Sequence, residues 1–457
     1  MRDQLDHDHE PSPTSVGHYA ALCGAALFSV LLITVAPRHS PMAITFVLGA
    51  TVSCGAVAIL ERRTPRLGVR LVAAAIGVVL TAAVVTPPRT SNDLWSYTMY
   101  GRIVAVHQAS PYATVPSDYR SDPFLERVSP IWRHRASVFG PLWVGYAAAD
   151  VAIAGSSPLA NRLLFQVTAA AAAIGLLVLV WRRTRSTAAL AWLGLHPVFG
   201  AMAVNGGHND LVVGLAILAA VQLSTRRRGW AAGAVLGLAA LIKITALLGL
   251  LGLVLWAWRQ GRRRVARTAA VGTLVTLVLG YLPFLGDASH VLARADHTVT
   301  SASPWNWLAN LMVGHDAGRE LLHPLATNAN LDAIFYASVV VVATLALALG
   351  WRAARAGPAR LTVGATTSAY TAGAQYALPW YTAWSLPLLT DNSPSPLGWV
   401  VWTQAAVMLV ALKLPIHPTG TAVDVVFRGL FGYLTPVVLL VAFVMAGSRG
   451  LGSRVEG

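Results

Sequence analysis

The residues best suited to chemistry lie in one run, Ser91–Tyr112, reading SNDLWSYTMYGRIVAVHQASPY. It follows an apolar segment ending in Pro87-Pro88, which puts the Asn92-Asp93 pair at a membrane edge with a polar loop beyond it. A carboxylate in such a place can take a proton from a hydroxyl. It can equally be structural, with Asn92 or Asp93 capping a helix through Leu94, Trp95, Tyr97 and Ile103. Trp95, Tyr97 and Tyr100 are suited to stacking on sugar rings or to anchoring an interface, and Pro111-Tyr112 closes the run as a rigid turn. Further along the same loop, Arg133, His134 and Arg135 form either an anion site or a solvated basic face near lipid headgroups.

Other places also offer polar chemistry beside apolar segments. Asn205-Gly-Gly-His208-Asn209-Asp210 combines a glycine turn with polar groups at the start of the next helix, an arrangement that binds anions or hydroxyls, or simply caps the helix. Lysine is scarce: Lys243 and Lys413 are two of 34 basic residues. Lys243 interrupts an apolar run, where its ammonium can hold a phosphate, pair with Asp210, or snorkel to the surface. Gln375–Trp384, with Trp380 and Tyr381, breaks a helix among aromatics that fit sugar stacking or an interfacial belt, and Ser303–Trp307 reads the same way. Arg162 is a further cation near the same membrane edge, and Asp150 is an acid inside an apolar stretch, which must be shielded by protein or wet. Cys23 and Cys54 have neither disulfide nor metal spacing and read as packing. No metal ligand set is expected, although a divalent ion held by carboxylates stays open.

These residues need a scaffold, and composition says which kind. Of 457 residues, 55% are hydrophobic and 12% charged, with mean hydropathy +0.58; soluble domains carry about 25% charged residues. Repeated apolar runs near the ~20 residues needed to cross a bilayer predict an all-α polytopic transmembrane protein of about 11–14 helices. The runs are 18–36, 41–60, 69–86, 159–181, 187–204, 209–224, 229–242, 245–258, 267–284, 331–350, 362–377, 380–390, 397–414 and 424–446. Several are too short to span alone, which predicts broken or tilted helices around a cavity. One domain over 18–447, with an external loop at 87–138, is expected between short cytoplasmic tails at 1–17 (disordered) and 448–457.

Net charge is +15, but the arginines cluster between apolar runs and report orientation. Arg62–Arg70, Arg182–Arg185, Arg226–Arg228, Arg259–Arg267, Arg352–Arg360 and Arg449–Arg454 all fall on one side, cytoplasmic by the positive-inside rule, with both termini. The run 139–155 breaks that alternation if it crosses, and is expected to be re-entrant or interfacial. Nucleic acid is excluded as a partner because the aromatics lie in apolar segments and form no basic stacking groove. There is no Walker loop, dinucleotide fingerprint or zincin pair, and no room for a soluble nucleotide-sugar domain.

Taken in order, Asn92–Tyr97, Ser110–Tyr112, Phe139–Leu142, Gly206–Asp210, Gly237–Lys243 and Leu378–Tyr381 resemble the GT-C glycosyltransferases, and more narrowly the actinobacterial α-1,6-mannopyranosyltransferases that use polyprenyl-phosphate mannose. The resemblance implies a multi-pass plasma-membrane enzyme with its active site on the extracytoplasmic face. Asp93 falls where that family keeps its catalytic base, and the expected partners are a polyprenyl-phosphate sugar, an envelope glycan or glycolipid acceptor and the lipid bilayer. A polyprenyl phosphate leaves unaided, so one carboxylate suffices and inversion follows; Lys243 or Arg133/Arg135 would steady the phosphate. A polyprenyl-phosphate-arabinose enzyme and a lipid or solute transporter are the alternatives.

Overall fold

The computed structural model describes residues 13–89, 91–284, 287, 298–313, 329–414 and 422–449. Among them the ordered elements are all helical. The backbone of a lipid-embedded chain must satisfy its own hydrogen bonds, and the helix does so within each segment. In chain order the first are α1 (Pro13–Thr34), α2 (Pro41–Arg63), α3 (Val69–Val85), α4 (Asp93–Ala105), α5 (Pro130–Arg133), α6 (Pro141–Ala154) and α7 (Pro158–Thr184). Then come α8 (Thr187–Gly194), a π-helical turn Val198–Val204, α9 (Asp210–Thr225), α10 (Gly229–Ala240), α11 (Leu247–Arg259) and α12 (Arg263–Tyr281). The remainder is α13 (Asn306–Val313), α14 (Ala329–Ala356), α15 (Ala359–Gly373), a 3₁₀ segment Pro379–Trp384, α16 (Leu386–Leu389), α17 (Pro396–Lys413), α18 (Ala422–Phe427) and α19 (Thr435–Arg449).

Several starts are written locally. Ser40, Ser157 and Ser395 each accept a backbone N–H three residues on, with proline just inside the helix, the pairing that satisfies an orphan donor and pre-sets φ. Among the described residues seven helices are long and apolar enough to cross a membrane, or eight if α8 and the π turn, bent by 41°, count as one. α3, α9, α10 and α11 belong to a shorter apolar class, and so does α6, the run expected to be re-entrant or interfacial.

Three expectations change. The run 380–390 is no continuous helix: a 3₁₀ segment that opens on Pro379 gives way to α16, with Pro387 in its first turn, because proline removes a donor and clashes with the preceding turn. The N-terminal tail is shorter than 1–17, since α1 begins at Pro13; residues 1–12 lie outside the described residues. α19 reaches Arg449, past the expected boundary at 447, and residues 450–457 are outside the description, as is much of the 285–330 and 415–423 loops.

Two ends of the bundle are defined by side-chain ties. At the basic end, Glu61 accepts the N–H groups of Arg66 and Leu67 and the Thr187 hydroxyl, Arg183 donates to Pro387 and Thr390, and Arg360 pairs with Asp391. The other end gathers the α3–α4 link, the 205–209 turn, the α10–α11 break and the 3₁₀ segment. The loop beyond α4 folds back against it: Arg102 donates from Nε to both Asp122 carboxylate oxygens at 2.9 Å, and His107 meets Asp122 at 2.8 Å and stacks on Tyr119.

Glycine sets two close approaches here. α4 lies against α6 so tightly that a Cβ on Gly101 would sit 2.3 Å from the Ala147 carbonyl oxygen. At the start of α6 the Gly140 and Leu142 N–H groups donate to the Ile242 and Leu241 carbonyls at 3.0 and 3.1 Å. The stretch before α6 is thereby bonded to the break that carries Lys243.

Candidate functional site

The site is assembled on a polar anchor inside the bundle. Gln166, within the apolar α7, donates to the Ala83, Thr86 and Asn205 carbonyls. Asn205 donates to Ala83 and Thr86, and its oxygen accepts the Arg89 N–H. Arg162 adds a bond to Val85 at 3.2 Å. Together they join the frayed end of α3 to the glycine turn, satisfying carbonyls that a helix end leaves open. Gly207 takes φ +62°, a left-handed conformation that suits glycine, and the chain then delivers His208, Asn209 and Asp210 into the protein, all fully buried.

Asp93 is the first residue of α4, and Asn92 occupies the cap position without a side-chain bond to the helix. Ser91 Oγ accepts the Asp93 N–H at 3.1 Å instead. Capping therefore does not occupy the Asp93 carboxylate. It is a quarter exposed, and its Oδ2 stands 3.5 Å from Nδ1 of the fully buried His208. His208 in turn stacks on Trp380, with ring centroids 3.8 Å apart and planes 16° from parallel. Burial is the largest influence on the Asp93 carboxyl and lifts it to about 6, with Ser91 and Lys243 pulling down and Asp210 pushing up.

The second group is centred on Asp210. Its Oδ1 accepts from Lys243 Nζ and from Trp384 Nε1, both at 2.9 Å. The Lys243 ammonium lies 3.8 Å from the Tyr381 ring centroid and 5.1 Å from that of Trp384, and those two rings stack on each other. This is a cation held by one carboxylate and two aromatic faces, so Lys243 pairs with Asp210 and does not snorkel. Asn209 caps nothing. Both of its amide atoms, together with Asp210 Oδ2, are buried without a hydrogen-bond partner among the described residues. Beside the break, Ile244, Leu248, Val339, Tyr370 and Tyr376 line an apolar cavity of about 410 Å³.

Asp93, His208, Asn209, Asp210, Lys243, Trp380 and Tyr381 thus come together from four separate stretches, with Asn92 adjoining. Other expected site residues are placed elsewhere. Tyr97 is buried, edge-on to Phe139 and Trp143, and Tyr112 is buried with its hydroxyl donating to Phe139; both are packing, not exposed sugar platforms. Arg133 is taken by Glu126 and the Val128 carbonyl, and Arg135 lies over Trp132 and donates to Thr298. Neither arginine has a described contact to the Asp93 group. Asp150 is protein-shielded, with 3% exposure and neither oxygen hydrogen-bonded. Among the described residues no three His, Cys, Asp or Glu side chains are grouped to hold a metal.

Two residues escaped the sequence reading. Gln166 had a signal, as a lone amide within an apolar run. Arg38, in the α1–α2 loop, acts electrostatically on Asp93, and nothing in its local sequence distinguishes it from an ordinary interfacial arginine.

The family model described as "Alpha-(1->6)-mannopyranosyltransferase, N-terminal domain" matches residues 15–260, a stretch that holds Asp93, His208, Asp210 and Lys243. The chain is similar to alpha-(1->6)-mannopyranosyltransferase A of Mycobacterium tuberculosis, 28% identical over 332 residues, which are 67% of this chain and 62% of that protein. It is also 24% identical over 394 residues to alpha-(1->6)-mannopyranosyltransferase A of Corynebacterium glutamicum, covering 77% of each. No solved structure matches. With the model covering more than half of its length, the chain belongs to the alpha-(1->6)-mannopyranosyltransferase family.

Proposed function

We propose that the protein is an inverting membrane glycosyltransferase that moves a mannosyl residue from polyprenyl-phosphate mannose to an envelope glycan or glycolipid. The reaction would take place on the extracytoplasmic face of the plasma membrane. The observation that carries this reading is the partly exposed Asp93 carboxylate, uncapped and set against buried His208.

In this mechanism Asp93 takes the proton of the acceptor hydroxyl as its oxygen attacks the anomeric carbon. The bond from that carbon to the phosphate oxygen breaks, and polyprenyl phosphate leaves with the electron pair. The departing phosphate is already stable as an anion, so no second carboxylic acid is required, unlike a glycosidase pair. Lys243 supplies positive charge near the leaving group, and Asn209 offers an unspent amide to sugar hydroxyls. Trp380 is already committed to His208, which makes it a positioning residue for the base. The apolar cavity beside Ile244 suits part of an isoprenoid chain.

The test is transfer from labelled polyprenyl-phosphate mannose by the purified full chain, against the Asp93→Asn variant. Product from the wild type, and at least about 10²-fold slower product from a folded Asp93→Asn, is expected. Product from Asp93→Asn at the wild-type rate would remove Asp93 from the mechanism, and incorporation only from the arabinose lipid would remove mannose.

A further inference from the structure

At the end of the bundle away from Asp93, two tight connections lie side by side: Arg226–Arg228 between α9 and α10, and Gln260–Arg262 between α11 and α12. α10 packs along α12 and brings them together. They enclose a hollow of about 850 Å³ whose lining includes Arg227, Arg228, Arg262, Arg263, Arg264 and Trp230, and no acidic residue. Among the described residues none of these five arginines is in an ion pair. Arg262 spends one N–H on the Thr225 carbonyl, and Arg263 lies over Trp258. α10 and α12 both begin at this hollow without a side-chain cap, adding orphan N–H groups of the same sign.

Orientation alone asks only that arginines lie on this face. It does not ask two loops and the first turn of α12 to gather five of them around one concavity, where they repel one another until an anion enters. We propose that this hollow is a headgroup site for an anionic phospholipid. Guanidinium groups pair phosphate oxygens in bidentate fashion, and basic pockets between membrane helices suit phospholipid headgroups. A lipid fits better than a soluble phosphate because of the flanks. Trp230 and Trp258 are each at least half exposed, as interfacial anchors are, and from the hollow α12 runs on with Leu274, Val278 and Leu279 outward, 61%, 54% and 64% exposed, as a wall for acyl chains. The 16 residues of α9 separate the hollow from Asp210 by about 24 Å, so the lipid would be bound apart from the catalytic site.

The full chain, purified in mild detergent, is mixed with phosphatidylglycerol, cardiolipin or phosphatidylcholine, and retained lipid is read by native mass spectrometry. Retention of the anionic lipids is expected to weaken at least tenfold in Arg227→Gln/Arg228→Gln/Arg263→Gln/Arg264→Gln, and to persist in Arg63→Gln/Arg70→Gln. Equal retention in all three proteins, or equal loss in both variants, overturns the site. Displacement of the lipid by millimolar inorganic phosphate overturns the lipid assignment and leaves a free-anion site. Should the quadruple variant not fold, Arg263→Gln/Arg264→Gln is read by the same criteria.

Discussion

Lys243 Nζ lies 2.9 Å from Asp210 Oδ1, and Trp384 Nε1 reaches the same oxygen at the same distance. This pair joins the first residue of α9 to the break between α10 and α11, with the 3₁₀ segment as the third side. Removing one partner of a buried pair leaves the other charge unsolvated and costs about 3–5 kcal/mol. Lys243→Met and Asp210→Asn should therefore each lower the thermal midpoint substantially in detergent. Lys243→Met combined with Asp210→Asn should cost less than the sum of the two. Strictly additive losses in that cycle would show that the two groups do not act as a pair.

Asp93 makes a prediction about pH. Burial holds its carboxyl up at about 6, so it is protonated, and useless as a base, below that value. The rate under low donor should rise about tenfold per pH unit up to roughly 6 and level off above it. Asp93→Asn should abolish that limb and lower turnover by about 10²–10⁴, with an unchanged elution profile. A rising limb that survives in Asp93→Asn would assign the titration to another group.

How much of this was readable in the sequence depends on the kind of contact. The helices were legible because an apolar run in lipid has one way to satisfy its backbone, but 380–390 was read as one run although Pro387 lies within it. Asp93, His208, Asp210 and Lys243 were legible one at a time, as polar residues at the ends of apolar runs. The pairing of Lys243 with Asp210 was one of the options there, but the approach of His208 to Asp93 was not. Nor was the bonding of Gly140 and Leu142 to the Ile242 and Leu241 carbonyls, a backbone junction between distant segments that no local pattern records. Tyr97 and Tyr112 were candidates for sugar contact from their place in the loop, yet Tyr97 packs against Phe139, Trp143 and Phe165, and Tyr112 against Phe139 and Phe284.

That junction is testable at Gly140. A Cβ there would stand 2.2 Å from the Leu241 carbonyl oxygen, and backbone cannot yield as a side chain does. Gly140→Ala should cost about 1–3 kcal/mol by overpacking. It should also depress transfer more than stability alone explains, because Lys243 sits one residue beyond Ile242. Gly145→Ala, on the same helix with nothing within 4 Å of its added Cβ, is the control and should change neither. Equal behaviour of the two variants would mean that the junction is not a strict constraint on the site.

The loop closure rests on Asp122, which is buried and hydrogen-bonded to Arg102, His107 and the Phe124 N–H. Burial pushes its carboxyl up, but those bonds outweigh it and hold the group below the ordinary carboxylate value of about 3.9. The sign follows: a folded value below the unfolded one gives stability that is present above about pH 4 and is lost as pH falls through the folded value. Asp122→Asn leaves Arg102 buried without its carboxylate, and at pH 7 it should lower the thermal midpoint and open the 106–138 loop to protease. As pH falls from about 4 through the folded value the wild type progressively loses the benefit of that charge, so the gap between the two midpoints should narrow. A gap that stays constant from pH 7 to pH 3 would mean that Asp122 holds the loop by shape and neutral hydrogen bonds, with no contribution from its charge.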